Sequence, residues 1–254
     1  MSKRPVVIRI RYDELPSDLA ECVACIGFFD SLHKGHQQLI LRCRREAEKL
    51  GLPAVLICFD KDPMEVITGC HQLHILSYKE RIQKIQELGI DTIIMFEFDE
   101  RFMNIDHHSF ISGYLNHMHI RKLICGFDFR FGYEGKGDTD TLIKEGNFET
   151  IVIPQIGYYN KKISSSRIKE EITKGNLRLA ERLLGYKYYL DVCVTNIEKT
   201  GGKYLVYAKC TDRYKVLPKN GIYKDKLLVD IYNKSFQIIS DNMLQPGEII
   251  RLEF

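Results

Sequence analysis

Residues 24–40, "ACIGFFDSLHKGHQQLI", decide how this chain is read. An apolar run, "CVACIGF" over 22–28, passes Gly27 into a loop with His33 and His36 on either side of Lys34 and Gly35, and the loop opens at once into a helical pattern. In "HQQLILRCRREAEKLG" the residues Leu39, Ile40, Cys43, Ala47 and Leu50 form one apolar stripe, and Gly51 supplies the stop. A strand that ends at the carboxyl edge of a parallel sheet and hands the chain to a helix N-terminus makes an anion site from free backbone N–H groups and the helix dipole. Histidines in such a loop donate hydrogen bonds to phosphate oxygens, and Gly35 between them leaves room for close approach. Two other uses of the spacing stay open from these residues. One is zinc ligation, for which no third ligand or water-activating carboxylate is evident; the other is a plain polar turn.

Working outward, "PAVLICF" (53–59), "DTIIMFEF" (91–98), "KLICGF" (122–127) and "ETIVIP" (149–154) are short, nearly continuous apolar runs like that at 22–28. Strands buried on both faces of a parallel sheet read this way. Helical patterns lie between them: in "SYKERIQKIQELG" Ile82, Ile85 and Leu88 share a face, Ser77 is the expected N-cap with Glu80 three residues on, and Gly89 ends the helix. This β-α-β series predicts an α/β fold, a Rossmann-like doubly wound parallel sheet. After Tyr186 the pattern changes to β-branched and aromatic runs broken by Gly, Asn, Asp and Pro, which predicts a small C-terminal antiparallel β domain. The expected division is 1–185 and 186–254, with no internal repeat.

Composition narrows the function classes. Apolar residues make up 44% and charged residues 28% of the 254, with a formal net charge of +3. These are ordinary values for a soluble enzyme. The small positive balance suits anionic metabolites and is too weak to argue for nucleic acid. Lys3, Arg4 and Pro5 before "VVIRI" do not read as a signal peptide, and no apolar run reaches the length of a membrane span, so the expected location is cytoplasmic, away from any membrane. The eight cysteines are scattered singly, mostly in apolar runs, as reduced core residues. Cys22 and Cys25 are formally C-x-x-C, but three residues apart on a strand they point to opposite faces. "CHQLH" (70–74), "HH" (107–108) and "HMH" (117–119) each lack a second half at ligand spacing, so no metal site is expected from them.

At this point the residues carry a resemblance. "IGFFDSLHKGH" (26–36) resembles the G-x-F-D-G-x-H-x-G-H signature of the nucleotidyltransferase superfamily, and in particular that of the bacterial FAD synthetase (FMN adenylyltransferase) family. The likeness continues in order through "LICFDKDP" (56–63), "LSYKERIQKIQELGIDTIIMFEFDERF" (76–102), "LICGFDFRFGYEGKGD" (123–138) and "KISSSRIKEEITKGNLRLAERLLG" (162–185). The HxGH loop indicates only the superfamily; "GFDFRFG" and the K-G-D segment specify the flavin branch.

The resemblance implies adenylyl transfer, in which FMN and ATP give FAD and pyrophosphate with no covalent enzyme intermediate. ATP and FMN are then the substrates, and Mg²⁺ accompanies ATP. His33 and His36 would contact the ATP phosphates, His36 being the stronger candidate for transition-state stabilisation, with Gly27, Phe28, Phe29, Asp30 and Gly35 lining the same site. "ISSSRIKE" implies a second phosphate site. There Ser164, Ser165 and Ser166 begin a helix, Arg167 follows, and Lys169 supplies the catalytic cation; an ordinary N-cap explains the serines equally well. Arg167 belongs to the ATP segment but stands at a variable, outward position. For the flavin, the likeness implies Asp128 as a hydrogen-bond acceptor, Phe129 and Phe131 as stacking or packing groups, and Asp60 and Pro63 from the second segment.

Departures from the family pattern qualify this. Ser31 stands where the pattern has glycine, Lys61 and Asp62 where it usually has Pro and His, and Lys169 where it has arginine. The flavokinase barrel of two-domain members carries a G-R-x-L-G-F-P-T-A-N segment that is absent here, and "LPKNGIY" (217–223) resembles a surviving fragment of that barrel. The tail therefore reads as a pruned barrel without kinase chemistry. Two alternatives remain: a nucleotidyltransferase with a different phosphorylated acceptor, and a catalytically silent flavin- or nucleotide-binding protein. The sequence does not set the oligomeric state.

Overall fold

In the computed structural model, which describes residues 5–15, 19–223, 227–230 and 234–254, the chain divides into two compact units. The first comprises Met1–Gln72 and Tyr78–Lys162, the second Leu73–Ser77 and Ile163–Phe254.

The first unit runs β1 (Val6–Ile10), β2 (Cys22–Ile26), α1 (Lys34–Leu50), β3 (Ala54–Phe59), α2 (Pro63–Thr68), α3 (Tyr78–Glu87), β4 (Thr92–Phe96), α4 (Glu100–Met103), α5 (His107–Gly113), β5 (Ile120–Gly126), α6 (Thr139–Glu145) and β6 (Glu149–Ile153), then a hairpin of β7 (Gly157–Tyr158) and β8 (Lys161–Lys162). The six long strands form one sheet in the order β1-β4-β3-β2-β5-β6, parallel throughout. All five expected strands are present. "VVIRI" adds a sixth at the edge, where Val6 is exposed and only Ile10 is fully buried; the exposed Arg9 interrupts the apolar run that marks the others. Every residue of β2 is buried. Strand β2 is also where the strand order reverses, with β3 on one side and β5 on the other, so the loop after it leaves the sheet at the topological switch point where α/β folds bind ligands.

All eight cysteines are free. Burial pushes the Cys22 thiol up to about 12, as befits an inert core residue.

Helix α1 buries Leu39, Ile40, Cys43 and Ala47, as its stripe predicts, and Gly51 ends it in the left-handed conformation. Leu50 is the exception. It is exposed, and the buried position is taken instead by Glu46, 3% exposed. The Glu46 carboxylate is met by Lys49 Nζ at 2.8 Å and Arg42 Nε at 3.0 Å on one oxygen and by Lys122 Nζ of β5 at 3.0 Å on the other. A helical wheel misses this because the cation that completes the cage comes from a strand far along the chain.

The second unit holds α7 (Ser165–Thr173), α8 (Leu177–Leu184) and strands β9 (Tyr189–Thr200), β10 (Lys203–Cys210), β11 (Gly221–Tyr223), β12 (Leu227–Asp230), β13 (Ser235–Ser240) and β14 (Ile249–Glu253). These strands form an antiparallel sheet in the order β11-β12-β13-β10-β9-β14. The change of pattern after Tyr186 is the start of this sheet. The compact division, however, falls between Lys162 and Ile163 and not at Gly185. Its cause is local: Glu181 of α8 takes Lys187 Nζ at 2.8 Å and the Tyr188 N–H at 3.2 Å, tying the helix pair to the first strand of the sheet. The inserted piece 73–77 joins the same unit through His74, whose backbone bonds Tyr214 and Val216 and whose Nε2 lies 2.6 Å from Asp212 Oδ2.

Lys49 first, then Lys122, holds the Glu46 carboxyl down to about 2, against an ordinary value of 4.5. Protons therefore bind the unfolded chain first as pH falls, and this contribution to stability is present above 4.5 and lost toward about 2. Urea unfolding of Glu46→Gln against wild type should show a deficit at neutral pH that shrinks through that window.

Candidate active site

The loop leaving β2 is unusually constrained. Phe29 and Leu32 both take positive φ, 52° and 46°, while their side chains are fully buried. Such conformations cost an L-residue on the order of 1–2 kcal/mol each and persist only where packing fixes them. Ser31, the departure from the expected glycine, is not among the positive-φ residues and is completely buried, so its side chain is accommodated and the left-handed residue is its neighbour Leu32.

His33 is the N-cap of α1. Its Nδ1 accepts the backbone N–H of His36 at 3.2 Å, and its carbonyl accepts that of Gln37 at 2.9 Å. The Lys34 and Gly35 amides at the same helix end have no helical acceptor to bond, which is the arrangement that receives an anion. The two imidazoles stack, centroids 3.8 Å apart and 8° from parallel. Gly35 is required by this packing, since a Cβ there would lie 2.8 Å from His33 Cε1.

Both rings are held neutral. Burial lowers the His33 pKa, and burial followed by the charges of His33 and Lys162 lowers that of His36 further. Because Nδ1 of neutral His33 is an acceptor, its proton sits on Nε2, which leaves an outward N–H donor. His36 Nδ1 is buried without a partner. Asp30 and Asp128 contribute negative charge near His33, and Lys162 pairs with Asp128 while lying 5.4 Å over the Phe127 ring.

Of the remaining residues singled out in this loop, Phe28 is half-buried, and Phe29 packs 5.2 Å from the His36 ring as a support beneath it. Gly27 is the turn itself, where a Cβ would press on the Phe29 ring at 3.3 Å.

The flavin candidates separate. Phe131 and Pro63 line a cavity of about 380 Å³ whose other walls include Phe59, Ile67, Phe98 and Phe102. It draws on the segments after β3, β4 and β5, at the same carboxyl edge as the histidine loop. Phe129 lies outside that lining and stacks on Phe131 at 5.6 Å. Asp60 also lies outside it, and its Oδ1 accepts the Phe98 N–H at 2.8 Å, clamping the ends of β3 and β4. Asp62, the other departure, is the N-cap of α2 and bonds the Met64 N–H at 2.9 Å, with Pro63 at the first helical position.

In the second unit, Ser164 is the N-cap of α7, its Oγ accepting the Arg167 N–H at 3.3 Å. Ser165, Ser166, Arg167 and Lys169 follow within the first turns, and Arg167 and Lys169 are both half-buried. Ile168 and Ile172 carry the buried face.

Three features escaped the sequence reading. Lys162 sits among "KKISSSR" with nothing to mark it. Gly132 and Gly137 are close approaches to His107: a Cβ on Gly132 would meet its backbone at 2.7 Å, and one on Gly137 its Cβ at 2.6 Å. Arg81 is 5% exposed on the buried face of α3, one turn before Ile85; its i, i+4 spacing was the available signal. Among the described residues no group of three or more His, Cys, Asp or Glu side chains could hold a metal ion.

A parallel α/β sheet that presents a histidine-capped helix N-terminus at its switch point defines a phosphate-binding domain of the nucleotidyltransferase kind. Comparison with known proteins makes this specific: residues 15–167 match the FAD synthetase family, and the chain belongs to it. Similar proteins include the bifunctional riboflavin kinase/FMN adenylyltransferase of Listeria monocytogenes, 30% identical over 82% of this chain and 68% of that one. The Bacillus subtilis protein of the same name is 28% identical over 86% and 72%. A crystal structure described as a macrolide-efflux protein from Streptococcus pneumoniae superposes with a TM-score of 0.85 at 25% identity, covering 97% of this chain and 88% of that one. Among the described residues no helix is long and apolar enough to cross a membrane.

The neutral histidine pair has a signature in stability. Below the ordinary value of 6.5 the unfolded chain takes up protons that folded His33 and His36 refuse, so their contribution to stability falls as pH drops through 6.5. His36→Phe, which keeps a ring on His33, should flatten the fall in urea midpoint between pH 7.5 and 5 relative to wild type; an unchanged slope would mean that His36 is protonated in the folded state.

Proposed function

We propose that this protein is an FMN adenylyltransferase, transferring AMP from ATP to FMN to give FAD and pyrophosphate, without riboflavin kinase activity. The observation that carries the reading is the neutral, stacked His33–His36 pair capping α1 on the same sheet edge as an aromatic-lined cavity. Family membership supports it, as do the names of the relatives.

In this reading an FMN phosphate oxygen attacks the α-phosphorus of ATP in line; the new P–O bond forms as the bond to the β-phosphate oxygen breaks and pyrophosphate leaves. The attacking oxygen is already anionic, so no general base is needed. The chain's task is positioning and charge stabilisation. The Lys34 and Gly35 amides and the Nε2–H of His33 meet phosphate oxygens as neutral donors fixed in advance by the helix and the stack. The isoalloxazine ring suits the cavity, whose Phe walls offer edge and face contacts. Mg²⁺ would enter with ATP and offset the negative charge of its phosphates.

Incubation with ATP, Mg²⁺ and FMN followed by chromatography should yield FAD, and riboflavin in place of FMN should yield no FMN. No FAD from FMN, with turnover of another phosphorylated acceptor, would replace the proposal. His36→Ala should slow FAD formation by on the order of 10²- to 10³-fold while leaving FMN binding nearly intact. ATP saturation at fixed FMN should show a raised KM and slower turnover for Lys169→Ala and little change for Arg167→Ala; the reverse pattern would move the phosphate-binding cation by two positions.

A further inference from the structure

Arg81 is a buried cation without an anion. It projects from α3, is 5% exposed, and has no carboxylate within ion-pair distance among the described residues. Among the described residues its one hydrogen bond is a long one, Nη1 to the Phe28 carbonyl at 3.5 Å, and its Nε is buried without a partner. The guanidinium otherwise lies over two rings, 6.0 Å from Phe28 and 5.9 Å from Tyr78. A guanidinium offers five N–H donors, and burying it in this state is costly unless something else fills them. The complement is an anion with several acceptor oxygens.

Its position narrows which anion. Phe28 belongs to the loop that leads to His33. Tyr78, which lies under the same guanidinium, also has Arg9 5.4 Å from its ring centre, and Arg9 lies 4.0 Å from Asp60, just after β3. Arg81 therefore stands at the carboxyl edge of the sheet between the histidine loop after β2 and the cavity segment after β3. A phosphate brought to the histidine loop from the side of β3 comes within reach of the guanidinium, which already touches Phe28 of that loop.

We propose that Arg81 is a substrate-binding residue that holds the phosphate of the acceptor, FMN, and aims it at the nucleotide. This rests on the FMN adenylyltransferase reading above and adds to it a specificity device: Arg81 is what distinguishes a phosphorylated flavin from riboflavin. A planar fork suits a phosphate, and Lys at this position would offer only a point charge on a different stem.

The test is Arg81→Met, which keeps much of the bulk and removes the charge, with flavin affinities read by fluorescence quenching. FMN affinity should fall on the order of ten- to a hundredfold, riboflavin affinity should stay at the wild-type value, and ATP affinity should be unchanged. Thermal stability of the unliganded variant should equal or exceed that of wild type, because a buried unpaired charge has been removed; a residue serving only the fold would lower it. Arg81→Lys should recover part of the preference for FMN. Equal loss of FMN and riboflavin, a loss confined to ATP, or a wild type that binds both flavins alike would overturn the proposal. If wild type binds no flavin, the functional reading fails by itself, and inorganic phosphate decides the arginine separately: it should raise the melting temperature of wild type more than that of Arg81→Met, and equal protection would overturn the assignment.

Discussion

One hydrogen bond organises the first unit's functional edge: the backbone N–H of His36 given to Nδ1 of His33. It caps α1, fixes the tautomer of His33 and lays the two imidazoles face to face. A serine or aspartate would cap the helix as well, but neither would leave a ring that turns a donor outward from the same position. The sequence spacing H-x-G-H follows directly. Two residues separate the cap from the residue whose amide it accepts, and the one of them that lies against the ring, Gly35, has no room for a side chain.

Much of the surrounding structure exists to hold that pair neutral and still. Fully buried Phe29 and Leu32 keep the loop in conformations it would not take alone, and Phe29 backs the His36 ring. Burial lowers both pKa values; Lys162 adds to it at His36, while at His33 the charges of Asp30 and Asp128 act against it. A neutral donor pair costs little to bury in the absence of substrate and gains strength when phosphate charge builds beside it. Arg81 is the opposite case, a permanent charge buried with no carboxylate beside it among the described residues.

The parallel sheet was legible because β2, β3, β4 and β5 are largely buried and carry apolar runs, and β6, only half-buried at the far edge, keeps the apolar run "IVI". β1 was not, since the exposed Arg9 interrupts its short apolar run. The histidine loop could be placed from its spacing, though not the stacking or the tautomer, which depend on Gly35 and on burial by residues elsewhere in the fold. Glu46 and Leu50 exchanged roles because a cation from β5 decides the matter, and periodicity within α1 carries no information about it. Asp60 and Asp62 were read through the family pattern as site residues or departures, whereas each meets a backbone N–H, at Phe98 and Met64. The unit boundary moved from Gly185 to Ile163 because Glu181 ties α8 to the β-sheet, a contact with no counterpart in composition.

The central claim is that His33 and His36 meet phosphate as neutral rings, with the His33 proton on Nε2. Imidazole ¹⁵N–¹H correlation spectra of selectively labelled protein at pH 7 test it directly. The account predicts two neutral rings, His33 in the Nε2–H form, with its Nε2–H resonance shifting when ATP is added. An imidazolium at either position, or a His33 proton on Nδ1, would contradict it.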